Sequence, residues 1–307
     1  MVTPTGARPH EPAGPRPQPA PTAGTGPDPE WPVPLRAEVD LALGGRWTSL
    51  RGGGREWLWL GPELGREGVS PGAAFVDAGG LEECLPTVRG CPDHGDVWSR
   101  PWQETGPGAA AVDCPQFTLT RRLAERSGVI VVDYRLAADP GYRFLWAAHA
   151  LLDLSPAARL EAPTGTSTRL HPEAAALLPP ETWPAGRPWL PGDWPTPAGL
   201  ALDAFGPDDG TAVGAVLVDC PRVRVVDAPD VLTFELACDG QPVGVGLWRN
   251  LRGWPEAAPY RSLGVEPMLG AAFDLADAGP EDAALVPPSG EVAWRLTVSA
   301  HRQRGPR

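Results

Sequence analysis

RVRVVDAPDVLTFELACDGQPVGVGLWRN, residues 222–250, decides the fold. Three short apolar and β-branched runs are separated by Asp-Ala-Pro (227–229) and by Asp-Gly-Gln-Pro (239–242). Runs of this length, bounded by turn formers, read as consecutive antiparallel strands. The same texture extends in both directions. RAEVDLAL (36–43) alternates, with Ala37, Val39, Leu41 and Leu43 on one face, the pattern of a half-buried strand. RWTSLRGGGREWLWL (46–60) reads as strand, glycine turn, strand. QFTLTRRLA (116–124) alternates, and GVIVVDYRLAA (128–138) reads as a more fully buried strand. SGEVAWRLTVSA (289–300) sets Val292, Trp294, Leu296 and Val298 on one face. FLWAAHALLDL (144–154) has no clear period, and its neighbours argue for a strand.

HPEAAALLPP (171–180) and GAAFDLADA (270–278) each predict a short helix, and the proline-rich residues 179–197 an irregular loop. Many short strands with glycine and proline turns predict an all-β chain, a large antiparallel β-sandwich. No repeat period, P-loop or strand–GxGxxG–helix unit occurs. Residues 1–34 contain eleven prolines and almost no large apolar side chain. Such a segment cannot bury enough surface to offset its ordering entropy, so residues 1–30 are expected to be a disordered tail ahead of one domain at 31–303.

The 307 residues carry a net charge of −12 and no basic stripe. A phosphate-backbone binder needs such a stripe, so neither nucleic acid nor an anionic membrane surface is an expected partner. Every basic residue is arginine, and asparagine and isoleucine occur once each, as Asn250 and Ile130. That bias suggests a GC-rich bacterial genome. Cys84, Cys91, Cys114, Cys220 and Cys238 are odd in number and form no CxxC, which argues against a disulfide framework or zinc site and for reduced thiols in a cytoplasm. No apolar signal region and no membrane-length apolar run is seen.

Three places join ionisable groups to aromatic ones. CPDHGDVWSRPW (91–102) holds Asp93, His94, Trp98, Arg100 and Trp102; FLWAAH (144–149) holds Trp146 and His149; GLWRN (246–250) precedes GVEP (264–267) with Glu266. Indole faces stack on the C–H faces of pyranose rings, while arginine and carboxylates grip hydroxyls. Trp98, Trp146 and Trp248 are therefore candidate sugar walls. Taken singly, each is more often a packing residue of the core, and a lone histidine such as His149 is more often a satisfied core residue. Glu266 lies in an apolar strand, where an ionised carboxylate needs partners. Two histidines and a glutamate could also bind a metal, but HExxH spacing is absent; so is the G-x-S-x-G elbow of a serine hydrolase.

At these residues the chain resembles the aldose 1-epimerase (galactose mutarotase-like) superfamily over roughly residues 36–300, as an outlying branch. GGRWTSLRGGGREWLWL (44–60) looks like the family's opening strands, and GGLEECLPTVRGCPDHGDVWSRPW (79–102) like the stretch that reaches its first active-site histidine. YRFLWAAHALLDL (142–154) resembles the strand of the second histidine; LWRNLRGWP (247–255) and LGVEPMLGAAFDLADA (263–278) resemble the stretch of the catalytic glutamate. The resemblance implies a β-supersandwich and an isomerase that interconverts the α and β anomers of an aldose without cofactor or metal. It makes Glu266 the base, His149 the acid and His94 an assisting contact, with Arg89 or Arg100 gripping hydroxyls. It implies a small sugar as partner; the sandwich edges can pair or stay alone, so a monomer or a homodimer is expected, and the free thiols place it in the cytoplasm. The family also offers sugar hydroxyls an aspartate between the second histidine and the glutamate. Asp193, Asp203 and Asp219 stand in that interval without the family's Asp-His-aromatic context. A non-catalytic sugar-binding protein on the same fold, or a scaffold whose tail docks a partner, are the other readings.

Overall fold

The structure, a computed structural model, describes Met1, residues 30–61 and residues 65–303. The expected tail falls outside these residues except for its two ends. Almost every described element is a strand, and every strand pair is antiparallel. Helical structure among the described residues is confined to short 3-10 turns, and no helix is long and apolar enough to cross a membrane.

Two large sheets form the body. In spatial order the first runs Arg159–Glu161, Arg222–Asp227, Asp230–Cys238, Glu291–Gln303, Val129–Ala138, Phe117–Arg126, Ala109–Asp113 and Gln103–Gly106, with Glu30–Val33 also paired to Glu291–Gln303. The second runs Leu190–Asp193, Ser167–Leu170, Thr211–Val218, Val243–Leu251, Arg261–Leu269, Trp146–Leu152, Leu81–Cys84, Arg46–Gly52 and Arg36–Asp40, with Arg55–Glu56 paired to Arg46–Gly52. The 222–250 stretch thus yields three strands, but its third crosses into the other sheet.

Period-two alternation decides what each face carries. Ile130, Val132, Tyr134 and Leu136 of the first sheet meet Trp146, Ala148, Ala150 and Leu152 of the second in one buried cluster. The intervening residues Ala147 and His149 point the other way, as do Glu82 and Cys84 on the neighbouring strand and Glu266 and Met268 on Arg261–Leu269. Cys84, Ala147 and Met268 there pack against Val88 and Phe273 in a second cluster. Both faces of this sheet are covered, so Trp146–Leu152 is buried at all seven residues. That is why FLWAAHALLDL shows no period: alternation appears only when one face meets water.

Three expectations change. Residues 270–278 form turns, not a helix. The 171–180 segment is helical only over the 3-10 stretch Pro172–Leu177. The 179–197 loop contains the strand Leu190–Asp193, paired to Ser167–Leu170.

Candidate active site

Strand register brings the distant residues together. His149 pairs opposite Glu82, and the pairs Ala147–Met268 and Ala150–Val265 set it beside Glu266 on its other flank. His149 Nε2 lies 3.6 Å from Glu266 Oε1. Glu266 is 2% exposed and its Oε2 has no hydrogen-bond partner among the described residues. A Cβ on the adjacent Gly264 would sit 2.7 Å from Glu266 Oε1, so glycine there leaves the carboxylate its room.

His94 arrives from a loop. Its backbone is left-handed (φ 60°), which L-residues other than glycine adopt rarely. Successive backbone bonds hold it: His94 N–H to Val88 O at 3.0 Å, Gly95 N–H to Pro92 O at 2.9 Å and Asp96 N–H to Leu85 O at 2.6 Å. Gly95 follows at φ 75°, and a Cβ there would meet Leu85 O at 2.0 Å. No other residue fits, so Gly95 is a steric requirement of the turn that presents His94. The His94 ring stacks on Phe75 (centroids 3.4 Å apart) and stands edge-on to His149 at 5.0 Å. Asp93 Oδ1 is 3.2 Å from His94 Nδ1, close enough to attract charge, although the angle leaves Nδ1 without a formed hydrogen bond. Burial, with help from His149, pushes the His94 imidazole below its ordinary pKa against the pull of Asp93 and Glu266. Neutral His94 is therefore the form present at neutral pH.

A cavity of about 510 Å³ opens over these groups. His94, His149, Glu266, Arg89 and Trp248, all candidates from the sequence, line it together with Phe75, Asp77, Asp93, Glu173, Trp254, Tyr260 and Phe273. A more open groove of about 600 Å³ crosses the outer face of the other sheet past Arg122, Arg135 and Arg295, and none of the motif residues reaches it.

Three candidates lie elsewhere. Trp146 is on the core face, where its Nε1 donates to Glu83 Oε2 at 2.7 Å and its ring meets Tyr134 and Trp294. Trp98 is fully buried one layer back, edge-on to Phe75 and beneath the Arg66 guanidinium at 5.1 Å. Arg66 in turn donates to Glu82 through Nε at 3.2 Å and Nη2 at 3.3 Å. Arg100 follows the histidine turn and reaches back to Asp96 Oδ1 at 3.7 Å, outside the cavity lining.

Asp193, Asp203 and Asp219 do not line the cavity either. The carboxylate that does, between His149 and Glu266 in sequence, is Glu173, on the 3-10 turn that follows Ser167–Leu170. Glu173 Oε1 accepts from Arg89 Nη1, and Glu173 Oε2 is buried without a partner among the described residues. Phe75, Asp77 and Tyr260 were missed because they come from irregular loops and strand ends whose positions no local pattern encodes. Tyr260 donates its hydroxyl to Asp77 Oδ2 and stacks on Trp59 at 5.0 Å, closing one wall.

Behind the cavity His171 is 5% exposed, packed on Phe273 with ring centroids 4.4 Å apart, its Nε2 unpartnered. Burial, and then Arg89 and Arg169, lower its pKa to about 3. The unfolded chain takes up a proton near pH 6.5 that the folded chain refuses until about pH 3. Stability at neutral pH is therefore lost as pH falls through that window, by up to about 1.4 kcal/mol per unit. His171→Leu should lose about 3 kcal/mol less than wild type between pH 7 and pH 4 in urea unfolding; equal losses would exclude this role.

A scan of the sequence against protein-family models finds no match, and a search of curated proteins finds none. Solved structures do match. The Slr1438 protein from Synechocystis sp. PCC 6803 aligns with TM-score 0.63 at 14% identity, over 92% of this chain and 99% of that one. A galactose mutarotase-like protein from Lactobacillus casei ATCC 334 aligns with TM-score 0.57 at 15% identity, over 87% and 97%. A galactose mutarotase related enzyme from Lactobacillus acidophilus aligns with TM-score 0.58 at 13% identity, over 89% and 98%. Twenty-one antiparallel strands among the described residues and a chain-long superposition lead to one conclusion: this chain has the fold of the galactose mutarotase-like structures.

Proposed function

We propose that the protein is an aldose 1-epimerase-like isomerase that interconverts the α and β anomers of an aldose by ring opening. The observation that carries this reading is a carboxylate and an imidazole, Glu266 and His149, meeting at 3.6 Å on the floor of an aromatic-walled cavity. Mutarotation needs little more. Glu266 takes the proton from the anomeric hydroxyl, O1. Protonated His149 delivers one from Nε2 to the ring oxygen as the C1–O5 bond breaks. The open-chain aldehyde turns about C1–C2, and O5 re-adds to the other carbonyl face while both protons return. Atoms and charge balance with no external reagent. Each positioned acid or base contributes about 10²–10⁴-fold.

His94, neutral and held by its turn, offers a hydrogen bond near the ring oxygen and fixes the sugar rather than moving the proton. Arg89 and Glu173 grip hydroxyls as a pair, and Trp248 supplies a stacking face. The test is optical rotation of freshly dissolved α-glucose and α-galactose. Relaxation faster than buffer across an aldose panel supports the enzyme, and buffer rates throughout exclude it. His94→Ala should lower kcat about tenfold, well short of the loss of a proton-transfer group; a larger loss would make His94 the acid.

One observation favours a second reading, a non-catalytic sugar-binding protein on this fold: Glu266 and His149 face each other closely enough to satisfy one another as an ion pair. Calorimetric sugar binding without faster mutarotation selects it.

A further inference from the structure

We propose that the cavity selects its sugar by charge, favouring aldoses that carry an ammonium group over neutral ones and rejecting those that carry a phosphate or carboxylate. The inference deepens the mutarotase reading and rests on it for the aldose class. Asp77, Asp93, Glu173 and Glu266 line the cavity, and Arg89 is the only arginine among the described lining residues. That arginine is already committed to Glu173. No lysine exists anywhere in the chain to reach in. Burial keeps His94 neutral, and protonated His149 offsets only Glu266, 3.6 Å away, so the lining stays negative overall.

A second observation points to a cationic ligand. Glu266 is 2% exposed and lines the cavity, yet its Oε2 has no hydrogen-bond partner among the described residues, and Glu173 Oε2 is in the same condition. Buried carboxylate oxygens without donors are costly. An ammonium brings three donors and a positive charge to such oxygens. The walls add to this, since Trp248, Trp254 and Tyr260 present ring faces or edges around the same space, and aromatic faces attract cations. Apolar walls also focus the field of the carboxylates. A phosphate would instead be desolvated beside unpaired carboxylates, with its one potential arginine partner taken.

The experiment measures binding of glucosamine, glucose and glucose 6-phosphate by calorimetry at about pH 6, where the amine is charged, alongside mutarotation by polarimetry. Affinity should fall at least about tenfold at each step in that order, and the steps should shrink in high salt as the charges are screened. Glu173→Gln, which frees Arg89, should narrow the gap between glucose and glucose 6-phosphate about tenfold. This ladder without accelerated mutarotation supports charge selection and overturns the enzyme reading. Acceleration with equal affinities, or with glucose 6-phosphate bound most tightly, overturns charge selection and leaves the enzyme reading standing. Binding of none of the three overturns both.

Discussion

Glu266→Gln is expected to reduce the enzyme-accelerated rate of mutarotation by about 10²–10⁴-fold, with KM changed only a few-fold. The amide matches the carboxylate in size and still hydrogen-bonds a sugar hydroxyl, but it cannot accept the O1 proton. The amide keeps the contact of Oε1 with His149 at 3.6 Å but not its charge, and Oε2 has no partner among the described residues to lose. Unfolding temperature should therefore fall by a few degrees at most, the size expected for about 1 kcal/mol. His149→Ala should lose a comparable factor, and the double variant little more, because the two groups act in one step. Rates by polarimetry and unfolding by circular dichroism separate the outcomes. Undiminished activity in Glu266→Gln would remove this residue from the mechanism.

The largest stability effect is expected at Glu83, on the opposite face of the same strand as Glu82. Glu83 is 0% exposed and lies between the two sheets. Arg121 Nη1 donates to Glu83 Oε1 at 2.8 Å, the Tyr134 hydroxyl to the same oxygen at 2.8 Å, and Trp146 Nε1 to Oε2 at 2.7 Å. Arg121 also donates to Gly45 O at 2.7 Å and lies over the Trp102 ring at 4.4 Å. These contacts tie Leu81–Cys84 of one sheet to Phe117–Arg126 and Val129–Ala138 of the other. Glu83→Gln leaves the Arg121 charge buried without a counter-ion, at a cost of about 3–5 kcal/mol. That is a large fraction of the roughly 5–15 kcal/mol that holds a domain together. Glu83→Leu combined with Arg121→Met should recover most of the loss, because no charge is then stranded. Urea unfolding of the three variants tests this, and a loss under about 1 kcal/mol in Glu83→Gln would show the network to be dispensable.

The fate of the three tryptophan candidates illustrates how far local sequence reaches. Trp98, Trp146 and Trp248 all stand within three residues of a charged or polar residue in sequence. Trp248 lines the cavity, Trp146 anchors Glu83 in the core, and Trp98 backs the wall through Phe75. In Trp146–Leu152 the side chains alternate faces, so Trp146 and His149 sit three residues apart on opposite sides. No period reveals which side is which when both are buried. Glu173 went unnoticed for a different reason. Its segment reads as a short helix with an acidic first turn, a common surface pattern, and only the packing of that turn against Thr211–Val218 carries it to Arg89.

By itself the sequence determined the all-β class and the turn-bounded strands of 36–60 and 222–250, while its resemblance to a known family singled out His94, His149 and Glu266. The class and the strands follow from interactions within a few residues: turn chemistry and alternation against one wet face. Tertiary structure alone decided which sheet each strand joins, which face of a fully buried strand meets the cavity, and that Glu173, Asp77 and Tyr260 complete the lining. Those outcomes depend on register between strands far apart in the chain, which bring Trp146–Leu152 against both Leu81–Cys84 and Arg261–Leu269. Cross-strand hydrogen bonds and two-sided packing set that register collectively, and no single stretch of residues carries it.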